Sequence, residues 1–388
     1  MKLVVSSDAA LESASRRFLR AGFVIVLTLL SASAAGLMLL GERSHALDSI
    51  SDIAAFQQRE PRSIWLGEIP DMAPYKLART TLAQPDILFV GHSRCGQFRA
   101  GMLAPYVAYN ACTSAWTFDQ IADFVDRVTT AARPKVIVFT LDYFMFADAW
   151  VENYASSRAG DFRQGYKAFF RRVRELLAYA LRAGPADLLS DRFDQFEQQR
   201  LLGPYALRRQ QGYRADGSTL YGPEMRAKIG VRNAKSAANF LSDFPSSADL
   251  SASQKLALGR LAQVAKSRGA ALIGVQLPFA KEASDFLDND EGFRPYAGGW
   301  REFNRDETRK LFSDLGITFI DASRIPIAAR HDHFIDPSHP NEAGTLATLI
   351  ELTRDDRIKA MLPRLDAAAL QSKYDEALRA GDLIEIYR

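Results

Sequence analysis

Apolar residues along this chain fall into three patterns: one long uncharged run, several short apolar runs bounded by turn residues, and stretches with apolar positions three and four apart. Residues 21–41 (AGFVIVLTLLSASAAGLMLLG) carry no charge between Arg20 and Glu42. About 20 apolar residues at a 1.5 Å rise span the hydrocarbon core of a bilayer, so this run predicts one membrane helix. Ser44 and Ala46 supply the small residues of a signal-peptide cleavage site. The apolar core of such a peptide runs only about 7–15 residues, however, and an uncleaved anchor is the expectation. Lys2, Arg16, Arg17 and Arg20 precede the helix and Arg43 alone closely follows it. That asymmetry leaves residues 1–20 in the cytoplasm and the rest of the chain outside the cytoplasmic membrane.

Residues 42–85 read as a linker of mixed composition, after which strand and helix signals alternate. The apolar run 86–91 (DILFVG) predicts a buried strand, and 106–110 a second. Phe118, Ile121, Phe124, Val125 and Val128 have helical spacing and lead through Arg133-Pro134 to a strand at 135–141 (KVIVFTL). Ser251 and Gln254, in capping-box spacing, open a helix that runs to Gly269 and a fourth strand at 271–277 (ALIGVQL). Asn304 and Glu307 open another helix, Gly316 closes it, and 317–320 is the fifth strand. The predicted fold class is therefore α/β: a doubly wound, five-stranded parallel sheet over residues 86–354, with ligands binding beyond the C-terminal strand ends. Residues 355–388 read as peripheral helices.

A long helical insertion, about residues 144–250, separates the third and fourth strands and far exceeds an ordinary connection. Within it, Phe162, Tyr166, Phe169, Phe170, Val173, Leu176, Leu177, Ala180 and Leu181 form an apolar stripe flanked by Arg163, Lys167, Arg171, Arg172, Arg174 and Arg182. Two readings stand open: a helix packed on its own domain with a solvated cationic face, or one lying on anionic lipid or a membrane partner. Gly212 to Gly217 reads as an exposed turn at a cleft rim.

Composition narrows the classes. With 388 residues, 47% hydrophobic and 24% charged, the chain is globular, and its net charge of only +3 gives no reason to expect a nucleic-acid partner. Cys95 and Cys112 are too few for a disulfide scaffold or a four-ligand zinc site. His331-Asp332-His333 lacks a third spaced ligand and reads as a polar turn, so no metal and no cofactor are expected.

Two segments carry chemistry. Gly91-His92-Ser93-Arg94 follows an apolar strand, where a serine at the strand-to-helix turn exposes its hydroxyl. Asp336-Pro337-Ser338-His339-Pro340-Asn341, with Glu342-Ala343-Gly344 after it, precedes an apolar helical run. A serine needs an imidazole to take its proton, and the imidazole needs a carboxylate to hold its tautomer; Asp336 and His339 offer that pair from one turn.

These segments resemble the first and last sequence blocks of the SGNH (GDSL-like) hydrolase superfamily. The resemblance implies Ser93 as nucleophile, His339 as general base and Asp336 as its orienting carboxylate. It also implies an oxyanion hole from the main-chain N–H groups of Ser93 and Ala115, the latter standing where the family has glycine. The family's third block ends Gly-x-Asn-Asp, whereas this strand ends Thr140-Leu141-Asp142-Tyr143, and an ionised Asp142 would repel an oxyanion unless it points elsewhere. His92, Arg94, Asn110 and Asp142 are expected around a substrate cleft, Arg94 either pairing with a carboxylate or meeting an anionic substrate group. Aligned this way, Cys95 and Cys112 border the cleft on neighbouring strand ends, either joined as a disulfide that an oxidising compartment permits or buried as free thiols.

The triad, the altered third block, the single anchor and the insertion are together similar to membrane-anchored members of the superfamily that work with membrane-bound O-acyltransferases, such as D-alanyl transfer and alginate O-acetylation proteins. That similarity implies acyl transfer through an acyl-serine to a hydroxyl of a cell-surface glycan or lipid. Esterase activity and an inactive glycan-binding or scaffolding module are the alternatives.

Overall fold

The computed structural model describes residues 5–43, 45, 47–65, 72–154, 162–189, 201–202, 206, 209–227, 229, 249–289 and 298–387. Helix α1 (Val5–Arg43) holds the one stretch among the described residues long and apolar enough to cross a membrane, Leu11–Leu39, and none of it is buried in the fold. The Ser44 and Ala46 cleavage alternative lies outside the described residues. Next come α2 (Ile50–Arg59), β1 (Ser63–Ile64), α3 (Met72–Ala83), β2 (Ile87–Gly91), β3 (Ala108–Cys112), α4 (Phe118–Ala131) and β4 (Val136–Thr140). The insertion supplies α5 (Asp148–Tyr154), α6 (Phe162–Leu189), β5 (Leu201–Leu202), β6 (Gly212–Tyr213) and β7 (Thr219–Leu220). The chain then returns through α7 (Ala252–Ser267), β8 (Ala271–Gln276), α8 (Lys281–Asn289), α9 (Gly298–Phe303), α10 (Asp306–Asp314), β9 (Ile317–Asp321), α11 (Glu342–Leu352), α12 (Asp356–Met361) and α13 (Ala367–Ala380).

The central sheet runs β3-β2-β4-β8-β9 with every pairing parallel. All residues of β2, β3 and β4 are buried, as expected of parallel strands covered on both faces. Phe118, Ile121, Val125 and Val128 of α4 pack with Leu258 and Leu261 of α7 on one face. Leu346 and Leu349 of α11, Ile358 of α12 and Leu370 of α13 cover the other. Because β3 and β4 flank β2, the order in which strands are added reverses at β2, the kind of switch point where parallel sheets form a ligand crevice beyond their C-terminal strand ends.

Several boundaries differ from the sequence reading. The second strand starts at Ala108, because Tyr106 turns out of the sheet and its hydroxyl accepts from the Arg364 N–H at 3.0 Å. Helix α10 starts at Asp306 rather than Asn304, whose amide donates to Trp300 O at 2.8 Å in the preceding turn. Ser251 flanks α7 without capping it, its hydroxyl donating instead to Asp148 at 2.7 Å. The segment 42–85 is packed structure: Ile53, Ala54, Ile64, Met72 and Tyr75 form a small core with Tyr213 of the insertion. The turn after β6 is likewise not an exposed rim, since Asp216 accepts from Arg99 Nε at 2.9 Å and the Asn110 N–H donates to Asp216 O at 2.8 Å. Residues 355–387 contribute to the second core layer, and the Tyr387 N–H donates to Glu342 at 2.7 Å.

Candidate active site

The apolar run of β2 ends at Gly91, whose φ of +138° and approach to β4 both exclude a side chain: a Cβ there would sit 2.3 Å from Thr140 Oγ1. His92 is extended, and Ser93–Cys95 form one 3-10 turn, which sets Ser93 at the strand end, half-buried beside the crevice. The second segment is held as tightly. Asn341 caps α11 by accepting from the Gly344 N–H at 2.9 Å, and its amide donates to Asp332 O at 2.6 Å. Gly344 is required by close approach, a Cβ there falling 2.3 Å from His333 O. These constraints give the Pro-Asn-x-x-Gly spacing its physical meaning: they fix the loop ahead of α11 that carries Asp336 and His339.

The two segments, 246 residues apart, meet: Ser93 Oγ lies 2.8 Å from His339 Nε2. His339 Nδ1 lies 2.8 and 2.9 Å from the two oxygens of Asp336. With Nδ1–H donating to the carboxylate, Nε2 is left as the acceptor for the serine hydroxyl. Burial alone would raise the Asp336 carboxyl, but His339 and the N–H groups of Ser338 and His339, at 2.9 and 3.0 Å, outweigh it and hold the group well below the usual carboxylate range. A carboxyl depressed on folding contributes stability above its unfolded pKa and loses it as pH falls. Relative to Asp336→Asn, the wild-type protein should therefore keep a constant stability advantage above about pH 4 and lose it progressively below, read as the difference in Tm across pH.

Beneath the serine lies a charged cluster that the sequence reading had placed around an open cleft. His92, Arg94, Asn110 and Asp142 are all buried. Arg94 donates to Asp142 through Nη1, to Ser338 O at 2.9 Å, and to Leu277 O and Pro278 O at 2.7 and 2.8 Å. Its guanidinium also lies 3.9 Å over the Phe279 ring. One side chain thus ties the Ser93 turn to the end of β4 and to the loop that carries His339. Burial would raise the Asp142 carboxyl, yet the Arg94 charge and the contact with His92 hold it below its ordinary value. Burial also pushes the His92 imidazole down, with Asp142, 3.0 Å from Nε2, opposing. Because the Arg94 N–H donates to His92 Nδ1 at 3.4 Å, the neutral ring carries its proton on Nε2, toward Asp142. Asn110 spends its amide on Cys95 O and Phe98 O, at 2.8 and 2.9 Å, and accepts from the Cys112 N–H at 2.9 Å. It staples the Ser93 turn to β3.

The N–H groups of Ser93 and Ala115 have no hydrogen-bond acceptor among the described residues, and Ala115 lies in the turn that follows β3, the neighbour of β2. Cys95 and Cys112 are joined by a disulfide with a Cα–Cα separation of 5.8 Å, linking the Ser93 turn to the end of β3. With the two cysteines 17 positions apart, loop-closure entropy contributes about 3 kcal/mol. A Cys95→Ala/Cys112→Ala variant should lose that much in chemical denaturation, and denatured, unreduced wild-type protein should show no titratable thiol. His331 and His333 diverge, the first meeting Glu282 at 2.9 Å and the second Asp332 and Tyr374, each at 2.7 Å. No group of three or more metal-ligating side chains occurs among the described residues.

Three contributors were missed from sequence. Ser338 Oγ lies 3.0 Å from His339 Nδ1 and 3.1 Å from Asp336, and its place inside the quoted motif was the available signal. Arg99 bridges Asp216 at 2.9 Å and Glu342 at 3.2 Å, coupling the insertion to the start of α11. Lys76, buried in α3, donates to Asn110 O at 2.8 Å and to Gly217 O, and burial lowers its pKa well below the ordinary lysine value. A lysine amid the apolar positions of α3 was the only hint of it. Compared with protein-family models, curated proteins and solved structures, the chain matches none.

Proposed function

We propose that the protein is a membrane-anchored, extracytoplasmic acyltransferase of SGNH type, with Ser93 as nucleophile, His339 as general base and Asp336 as orienting carboxylate. The observation that carries this reading is the Ser93–His339–Asp336 hydrogen-bonded relay, assembled from segments 246 residues apart. Ser93 Oγ attacks the acyl carbonyl carbon while its proton passes to His339 Nε2, and the resulting oxyanion accepts from the N–H groups of Ser93 and Ala115. Collapse breaks the bond to the leaving group, which takes the proton from His339 and leaves acyl-Ser93. An acceptor hydroxyl then attacks the acyl carbon, gives its proton to His339, and departs as the new ester as that proton returns to Ser93. Asp142, neutralised by Arg94, is not a free negative charge opposing the oxyanion.

The helix Leu11–Leu39 supports an anchor, and the excess of Arg and Lys before it favours a cytoplasmic N-terminus. The natural partners are then a membrane-bound O-acyltransferase that supplies the acyl group and a cell-surface glycan or lipid that receives it. Water in place of the acceptor would make the same site an esterase. Mass spectrometry of surface glycans and lipids should show one acyl modification lost on deletion of the gene, restored by the wild-type protein and not by Ser93→Ala. Restoration by Ser93→Ala would reduce the protein to a scaffold. Rapid hydrolysis of simple esters by the purified protein, with no transfer to any alcohol, would make it an esterase.

A further inference from the structure

We propose that the outer face of α6 is seated in the headgroup layer beside the exit of α1, holding the Ser93 site against the bilayer. The proposal rests on the anchor reading above and extends it from a point of attachment to a fixed docking face. Helix α6 has two apolar sides. Inward, Leu176 is buried and Tyr179 packs with Ala206, Trp65 and Leu220, while Arg172 donates to Asp48 O at 3.0 Å. Outward, Phe170, Arg174, Leu177 and Leu181 follow one another at spacings of four, three and four, a single stripe, and are 50, 72, 39 and 84% exposed. Phe169, also exposed, widens it. A helix on an ordinary protein surface turns polar residues outward; an exposed apolar stripe carrying arginine is the pattern of a helix lying in a membrane interface.

Position selects the bilayer as occupant. The apolar span ends at Leu39, two residues or about 3 Å before Gly41, and Gly41 is where α1 meets Leu176 of α6. Phe170 and Leu181 lie within about 10 Å of Leu176 along the helix, so the stripe reaches the boundary layer where interfacial helices bury their apolar face. Arg174 can lay its methylene stem among acyl chains and raise its guanidinium to lipid phosphate. From α6 the path to the chemistry is short. Tyr179 and Leu220 both pack on Ala206, the Thr219 N–H donates to Gly96 O at 2.8 Å, and Gly96 is three residues past Ser93. The substrates this arrangement favours are therefore presented at the membrane surface.

The test uses full-length protein with its disulfide intact, in vesicles of phosphatidylcholine and phosphatidylglycerol, carrying a nitroxide on Leu181→Cys, Val26→Cys or Leu256→Cys. Collision with oxygen and with a water-soluble nickel chelate reports depth. Leu256, 76% exposed on α7, is the aqueous reference, and Val26 tests the anchor itself. The expected result is a several-fold higher oxygen-to-nickel ratio at Leu181 than at Leu256, reduced when Arg174→Glu is added. A ratio at Leu181 equal to that at Leu256, or exclusion of both reagents, would overturn the proposal while Val26 still reads as immersed. An aqueous Val26 would overturn the anchor reading as well.

Discussion

Replacing Arg94 with methionine should destabilise the fold by about 3–5 kcal/mol, the usual consequence of removing one member of a buried ion pair. The loss is large because Arg94 is the counterion of the fully buried Asp142 and also serves the carbonyls of Ser338, Leu277 and Pro278. Arg94→Lys keeps the charge but not the planar fork that reaches these acceptors together, so it should fall between wild type and Arg94→Met. Removing both charges, in Arg94→Met/Asp142→Leu, should recover much of the loss, because the uncompensated carboxylate is the costly element. Denaturant midpoints measure all three, and a loss below about 1 kcal/mol for Arg94→Met would contradict the role assigned to it.

Ser93→Ala should lower kcat on a soluble acyl ester by roughly 10⁴–10⁶-fold while leaving stability within about 1 kcal/mol of wild type. The side chain is half-buried and its hydrogen bond is to His339, so deletion opens little space and strands little polar surface. His339→Ala should fall by a comparable factor, and the double variant little further, since the two groups act as one relay. Full additivity of the two losses would mean that they do not act together.

What the sequence made legible follows from how local each signal is. Residues 87–91 and 136–139 are apolar without interruption because both faces of the sheet are covered, so the strands could be read directly. The Ser93, His339 and Asp336 set was legible because its signals are local: Gly91 at the strand end next to Ser93, Asp336 and His339 within one turn, Asn341 capping α11 and Gly344 against His333 O. The layer beneath was not, because a charged residue gives no sign from sequence of whether it faces solvent or a buried partner. Arg94 and Asp142 are 48 residues apart, and Arg99 and Glu342 are 243 apart, so the partner of each stayed open until the fold joined them. A second, small sheet of order β5-β1-β6-β7 was hidden for a related reason. Its strands are two residues long, too short for any period, and β1 pairs with β5 and β6 across the whole central portion of the chain.

The most direct measurement of the proposed chemistry is mass spectrometry of the Ser93-containing peptide after brief incubation with an activated acyl ester and an acid quench. Acylation through Ser93 predicts one covalent acyl group on Oγ of that residue, absent in Ser93→Ala, strongly reduced in His339→Ala, and discharged from the wild-type protein by an alcohol acceptor. An unmodified Ser93 alongside undiminished turnover would contradict it.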